Sequence, residues 1–511
     1  MQNLKVFANA KPISAEEMHA IELNCSSIGI STAQLMENAG SAVANFIREN
    51  FKKRNILFFC GTGNNGGDGF VAARMLSRDY NVEIIIVGKE EIKQGPALSN
   101  FHAISKSPFV KIHHYIDLDK EEVNSIIKKS DLIVDAIFGT GFRGELKGIY
   151  KEAVLAINNS GKKVVAIDVP SGFSKESKLY VRANYTITFH RIKEGMGALR
   201  NVVVKDIGIP IDAELFAGPG DLYLASKPIS VYASKRERGM LVIVGGSKVY
   251  HGAPIHTLLS ASSIAALRTG AGYAVLYVPN AILDVVRKLS QNQIVRPVGE
   301  DYISFTDELK RDIDKAQAIV IGMGITKEKQ AQDACQKIVS YALSNGKRVV
   351  ADADAISAIA GMLDGAKRID TTNLLITPHD SEFYQFSGLK LRHEDSNIFD
   401  RIEAAKKIAK EKGVNILLKG HNTIITNGEK IKINRSNAHN LSTMGTGDIL
   451  SGIIGAFAAM GNDLFEAAVA GAYLHSKAGE VLAMEKGNHI IASDLIDKIP
   501  KIMSEFDKVL Q

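Results

Sequence analysis

Nine residues, Gly61-Thr62-Gly63-Asn64-Asn65-Gly66-Gly67-Asp68-Gly69, set glycines, two carboxamides and a carboxylate directly behind the apolar run Ile56 to Cys60. Helical spacing from Phe70 to Leu76 then places the segment at a strand-to-helix turn, where backbone N–H groups and a helix dipole face an anion. Asn64 and Asn65 can hydrogen-bond a ribose or a nicotinamide, or ligate a cation through oxygen. An ordinary glycine-rich turn has no need of both ahead of Gly-Gly-Asp. A second constellation lies far downstream, where Thr443-Met444-Gly445-Thr446-Gly447-Asp448 precedes the helix-like stretch Ile449 to Gly455. Small residues let amides converge where negative charge develops in phosphoryl transfer, and Asp448 can either take a proton from a hydroxyl or merely cap the helix. Upstream of it, Lys419-Gly420-His421-Asn422-Thr423 joins the apolar pairs Leu417-Leu418 and Ile424-Ile425 as a strand-turn-strand suited to a nucleotide phosphate.

These residues need a scaffold. In the first half, Ile56 to Cys60, Val82 to Val87, Leu132 to Asp135, Val164 to Asp168, Ile187 to Phe189 and Val202 to Val204 are apolar runs alternating with helical stretches. Continuous rather than alternating apolarity marks strands covered on both faces, hence a Rossmann-like three-layer α/β domain. Gly61, Asp135 and Asp168 then fall at carboxyl ends of strands, where ligands bind in such sheets. The text from Gly218 to Gly239 is polar and broken and reads as a linker. Beyond it a second α/β series runs through Leu241 to Gly246, Ala274 to Val278, Ile319 to Gly322, Val349 to Asp352, Leu374 to Ile376 and Ile416 to Leu418. The predicted domains are residues 1–225 and 230–511.

The first segment resembles the GxGNNGGDG signature of the NAD(P)H-hydrate epimerase domain. Asp135 to Gly141, Asp168-Val169-Pro170-Ser171-Gly172, and Thr186 to Phe189 with Lys193 are similar to that family's later motifs, in its order. The resemblance implies repair of hydrated NADH and NADPH by interconversion of the R and S epimers. It implies substrate contacts from Asn64, Asn65, Gly66, Gly67, Asp68, Gly139, Thr140, Gly141, Phe142, Arg143, Gly144, Glu145 and Asp168. Asn65, Asp135 and Ser171 match its potassium ligands, all hard oxygen donors. Asp168 is the acid/base candidate, with Lys193 as partner.

Residues 240–511 resemble the ADP-dependent NAD(P)H-hydrate dehydratase domain, which has a ribokinase-like fold. The motifs are Gly252-Ala253, Gly270-Ala271-Gly272, Asp352 to Ala355, Thr377-Pro378-His379 with Glu382, Lys419 to Thr423, and Gly445 to Asp448. By that resemblance Ala253, Gly324 and His379 line the hydrate pocket together with Asp448, the catalytic base. Lys419, Gly420, His421, Asn422, Thr423 and Gly447 hold ADP, the phosphoryl donor, with Mg2+ screening its diphosphate. Asp352 and Asp354 can serve the site or cap a helix. Three departures stand out. Ser234 to Gly239 replaces the family's His-Lys-Gly segment, a Pro-Glu is absent around Ser290 to Asn292, and the stretch after Ser171-Gly172 is short.

Composition narrows the field. With 62 basic against 56 acidic residues, a net charge of +6 is spread along 511 residues, and clusters such as Lys52-Lys53-Arg54 lack interleaved aromatics, which argues against nucleic acid. Three distant cysteines, Cys25, Cys60 and Cys335, offer neither a disulfide framework nor a CxxC metal site. Met1 to Lys11 has no apolar h-region, and no apolar run spans a membrane, so a cytoplasmic protein is expected. The expected partners are NADHX, NADPHX and ADP, with a homo-oligomeric assembly. The rival reading is a ribokinase-like small-alcohol kinase fused to a non-catalytic nucleotide-binding module.

Overall fold

The computed structural model describes residues 11–52, 55–89, 91–174, 177–250, 253–289, 291–363, 369–391, 398–436 and 438–510. Its chain divides into two compact units, one ending at Ile211 and the other beginning at Asp212.

The first unit holds seven strands, β1 (Asn55–Cys60), β2 (Asn81–Ile86), β3 (Val110–His114), β4 (Leu132–Ala136), β5 (Lys163–Ile167), β6 (Tyr185–Phe189) and β7 (Val202–Lys205). They form one parallel sheet in the order β3-β2-β1-β4-β5-β6-β7. Successive side chains of a strand point to opposite faces, so Leu57 and Phe59 pack with Val123, Val154 and Ile157 from helices on one side. On the other side the helices Thr32–Asn50 and Asn64–Leu76 pack on each other. Strand order reverses between β1 and β4, and the crevice at such a reversal is where α/β sheets take their ligands.

In the second unit, β8 (Ile229–Ser230) pairs with β18 (Val509–Leu510). The main sheet contains β9 (Met240–Val244), β10 (Tyr273–Val278), β11 (Ile294–Pro297), β12 (Ala318–Ile321), β13 (Arg348–Ala351), β14 (Leu374–Ile376), β15 (Asn415–Leu418), β16 (Asn422–Thr426) and β17 (Ile431–Arg435). Its order is β11-β10-β9-β12-β13-β14-β15-β16-β17, parallel except where β16 and β17 turn back. Alternation again builds two cores. Leu241 and Ile243 face the helices Thr446–Ala459 and Leu464–Lys486, while Met240, Val242 and Val244 face Ile338, Ile359 and Ile408.

Residues 218–230 are not a free linker, which corrects the boundary read from sequence. Pro219 and Gly220 open a helix, Pro219–Ala225, because a proline at the first turn forfeits only an amide that the helix leaves unpaired. Leu222 and Ala225 are fully buried in the second unit's core, and Asn462 Nδ2 donates to the Ala225 carbonyl at 3.0 Å. Phe216 bridges to Ile433 on β17, and Lys432 pairs with Asp221 at 2.8 Å. Among the described residues no helix is long and apolar enough to cross a membrane.

If the segment belongs to this core, Leu222→Ala should lower the second unit's thermal transition by roughly 5 °C or more, as a core Leu→Ala change does. Tyr232→Ala, at a side chain 90% exposed, is the control that should leave it unchanged. Equal melting curves for the two variants would return residues 218–230 to the status of a linker.

Candidate functional site

Each unit carries its own site. In the first, the helix Asn64–Leu76 begins directly after the turn that follows β1, with Gly63 at its N-cap. The expected start at Phe70 is therefore too late, and Asn64 to Gly69 form the opening turns of the helix rather than a loop ahead of it. Unpaired amides crowd that end. A Cβ on Gly61 would sit 2.0 Å from the Ile137 carbonyl oxygen, and one on Gly66 would sit 1.9 Å from the Gly61 carbonyl oxygen, so only glycine admits this approach.

Asn65 is buried, and neither atom of its carboxamide has a partner among the described residues. Asp135, at the end of β4, is fully buried. Its Oδ2 accepts the Ser171 N–H at 2.8 Å and its Oδ1 accepts the Ser171 hydroxyl at 2.5 Å. Burial raises the carboxyl to about 6 against the pull of those hydrogen bonds. Residues 138 and 139 touch both this pair and Asn65. The Phe138 N–H donates to Ser171 Oγ at 2.8 Å, while a Cβ on Gly139 would lie 3.3 Å from Asn65 Oδ1 and 2.8 Å from Asp168 Oδ2.

Asp168 follows β5 with φ 62, a left-handed backbone that costs a non-glycine residue about 1–3 kcal/mol. Its Oδ2 accepts the Thr140 N–H at 3.1 Å. Oδ1 lies 3.3 Å from Lys193 Nζ, and the ammonium also donates to the Phe189 carbonyl at 2.6 Å and to Thr188 Oγ1 at 3.1 Å. Burial, and after it the Asp168 carboxylate, push the Asp68 carboxyl well above the usual range. A carboxyl with a raised proton affinity beside one that is ion-paired can serve as acid and base. Of the expected substrate loop, Gly141, Arg143, Gly144 and Glu145 are exposed, whereas Phe142 stacks on Phe138 with ring centres 4.9 Å apart. Arg143 Nη2 pairs with Glu16 at 2.6 Å.

In the second unit the loops after the strands are fastened to one another. The Gly246 N–H donates to the Met323 carbonyl at 2.8 Å, and the Lys419 N–H donates to the Pro378 carbonyl at 2.8 Å. The helix Thr446–Ala459 opens on Gly445, whose φ is 89, with no side-chain cap. Asp448, on its first turn, is thus not consumed as a cap. Burial, and after it the Asp352 carboxylate, push the Asp448 carboxyl up to about 7 against the Lys419 ammonium. Asp352 is buried too, with Lys419 Nζ 2.9 Å from Oδ1 and the Ser451 hydroxyl 2.8 Å from Oδ2. Burial would raise the Asp352 carboxyl, but Lys419 and the hydrogen bonds around it hold it below the usual range.

Among the other expected residues, His379 is the exposed N-cap of the helix Asp380–Ser387, its Nδ1 accepting the Glu382 N–H at 3.3 Å. Asp354 accepts the Thr326 N–H at 3.0 Å. Gly324 sits in the turn after β12 with φ 67. Gly420 and His421 form the turn between β15 and β16, and Asn422 and Thr423 begin β16. Ala253 opens the helix Ala253–Thr269. Gly252, the Ala253 side chain and Ser290 lie outside the described residues.

Besides Ser451, two supporting residues were missed by the sequence reading. Arg401 clamps Asp380 through Nη1 at 2.7 and 2.9 Å and donates from Nη2 to the Lys419 carbonyl at 3.0 Å, so it braces the lysine turn. His475 is buried, its imidazole pushed down to about 4, and Nε2 lies 2.9 Å from the Thr446 carbonyl. A carbonyl only accepts, so Nε2 carries the proton and steadies the helix start. Both residues lie in ordinary amphipathic or apolar helices, and nothing in their spacing separates them from surface and core positions.

Comparison with known proteins also assigns the two parts of the chain to different families. The family described as "YjeF-related protein N-terminus" matches residues 32–195, and the family described as "NAD(P)H-hydrate dehydratase" matches residues 241–501. The bifunctional NAD(P)H-hydrate repair enzyme Nnr of Archaeoglobus fulgidus is 36% identical over 498 residues, covering 96% of this chain and 98% of its own. Its counterpart in Methanocaldococcus jannaschii is 36% identical over 520 residues, covering 97% and 94%. A ribokinase-like superfamily protein of Enterococcus faecalis superposes with TM-score 0.50 at 22% identity, over 57% of this chain and 96% of that one, which shows a shared fold.

The raised Asp448 carboxyl has a consequence for stability. Its folded value of about 7 lies above that of an unfolded aspartate, so its contribution is full below about pH 4 and is lost as pH rises through about 7. Asp448→Asn removes a half-buried charge and should stabilise the protein by on the order of 2 kcal/mol at pH 8, with little effect at pH 4.5. Urea melts at the two pH values read this directly, and a gain that does not grow with pH would refute the raised carboxyl.

Proposed function

The chain belongs to the family of bifunctional NAD(P)H-hydrate repair enzymes, and from that premise we propose how its two sites divide the work. The family's enzymes epimerise and dehydrate NAD(P)H hydrate, and this chain does both. The unit ending at Ile211 is the epimerase, and the unit from Asp212 is the nucleotide-dependent dehydratase. One observation carries the second assignment: a half-buried Asp448 with a raised proton affinity on the opening turn of an uncapped helix, with the Lys419–Asp352 pair beside it.

In the dehydratase, Asp448 takes the proton of the C6 hydroxyl of the S-hydrate while that oxygen bonds to the terminal phosphorus of ADP. The bond from phosphorus to the bridging oxygen breaks, and its electron pair leaves with AMP. Amides of Gly445 to Gly447 face the charge that moves. The C6–O bond then breaks, its electrons leaving with phosphate, and loss of a C5 proton restores the nicotinamide double bond. Mg2+ would arrive on the diphosphate, as that ion commonly does. Lys419 to Thr423 and Gly447 hold the nucleotide in this reading, and Ala253, Gly324 and His379 the hydrate.

In the epimerase, the Asp168–Lys193 pair serves the reacting ring, with Asp68 as the neighbouring proton donor. A potassium ion fits here on the chemistry of the donors. The buried Asn65 carboxamide oxygen is unpartnered, and the Asp135 and Ser171 oxygens are hydrogen-bonded to each other and, through Ser171 Oγ, to the Phe138 N–H next to Gly139. Such an ion would supply a fixed positive charge for a substrate phosphate.

Two measurements test this reading. Asp448→Asn should reduce ADP-dependent dehydration of the S-hydrate by about a thousandfold or more while R/S epimerisation persists, and the wild-type rate should fall on the acid side of about pH 7, where the base is protonated. Dehydration within a few-fold of wild type would remove Asp448 as the base. For potassium, crystals soaked in rubidium should give an anomalous peak within oxygen-ligand distance of Asn65, Asp135 and Ser171, and a peak elsewhere would dismiss the site.

A further inference from the structure

Lys419 stands where a phosphoryl group would need a cation. Its Nζ lies 3.7 Å from the point where a Cβ on Gly447 would project, and Asp352 Oδ2 lies 3.9 Å from that same point. The turn of Gly445 to Asp448 therefore faces an ammonium across the width of a small group. We infer that Asp352 is a positioning residue that aims the Lys419 ammonium at the phosphoryl group in transfer, an inference that rests on the dehydratase reading.

Asp352 is itself immobilised. Oδ1 accepts from Lys419 and from the Ala353 N–H at 2.9 Å each, and Oδ2 accepts from Ser451 at 2.8 Å, on the same helix as Asp448. Ala353, the next residue, adopts φ 48, so the backbone is strained at the point that sets the carboxylate. Buried ion pairs return little stability, because desolvation offsets their attraction, which leaves the pair unexplained as a brace alone. Glu382 lies 4.0 Å from the same Nζ and shares the charge. An ammonium has three donors, and the Lys419 side chain keeps 25% exposure, so it is not sealed away from the site. Charge in phosphoryl transfer spreads over three equatorial oxygens, and amides on one side with an ammonium on the other match that distribution.

The test uses the full-length protein. Asp352→Asn keeps the shape and the acceptor for Ser451 but removes the charge that fixes Lys419. It should lower kcat for ADP-dependent dehydration by about thirtyfold or more, with KM for the S-hydrate within about twofold, the pattern of an interaction made only in the transition state. By calorimetry, the tightening of AMP binding produced by aluminium fluoride, a mimic of the transferring phosphoryl group, should shrink by about tenfold. A folded variant with wild-type kcat and undiminished tightening overturns the inference. Should Asp352→Asn fail to fold, Ser451→Ala is judged by the same readouts: a loss of about threefold or more supports positioning, and wild-type values overturn it. A wild-type protein without dehydration refutes the dehydratase reading, and the fluoride titration still decides the role of Asp352.

Discussion

A Cβ at Gly322 would lie 1.8 Å from the Asp352 carbonyl oxygen, and one at Gly61 would lie 2.0 Å from the Ile137 carbonyl oxygen. In both units, then, the backbone leaving one strand rests against the backbone leaving its neighbour. Parallel strands make this contact possible, since all their carboxyl ends open on one edge and the next connection must turn away from it. Remove the glycine and the loops separate by the width of a methyl group. Asn65 would then no longer lie against Gly139, and Asp352 would lose its place beside Lys419. Close approach of main chain at the sheet edge is thus the condition on which both sets of side chains depend.

Within that frame, burial is opposed differently at each carboxylate, and the difference fixes what each can do. Asp135 receives N–H and O–H donors from Ser171 and titrates at about 6. Asp352 receives an ammonium and stays ionised below the usual range. Burial, and after it the Asp352 charge, push Asp448 up to about 7 with the lysine already engaged, so it exchanges its proton near neutrality. Unlike partners and unlike depth thus leave the three carboxyls with different proton affinities. His475, pushed down to about 4, stays neutral behind the same helix and adds no charge to the balance.

The strands were legible because burial on both faces leaves uninterrupted Val, Ile and Leu runs, as in Val349-Val350 and Leu374-Leu375-Ile376. Asn65, Asp135, Asp168 and Asp448 stood out because each lies in a local motif at a strand end or a helix start. Two errors share a cause. Gly218-Pro219-Gly220 reads as a break, and Gly66-Gly67 reads as a loop, yet each lies in the opening turn of a helix. Proline and glycine are tolerated there because the first amides have no helical partner to lose. Arg401, Ser451 and His475 were out of reach for another reason. Their roles arise only when segments distant in sequence fold together, as when Ser451 meets Asp352.

The two units share a device without sharing a motif. Asp168 follows β5 and Ala353 follows β13, and both take left-handed backbones that side chains avoid, with φ 62 and 48. In each case the strained turn sits beside a carboxylate paired to a lysine, Asp168 with Lys193 and Asp352 with Lys419. Glycine would relieve the strain at either position but would forfeit the carboxylate at 168 and loosen the turn after 352. The strain is therefore held by the packed sheet beneath it, where Val165 and Val350 are fully buried. A rigid parallel sheet lets a loop keep a conformation it would not adopt alone, and that conformation places an acid within reach of a base.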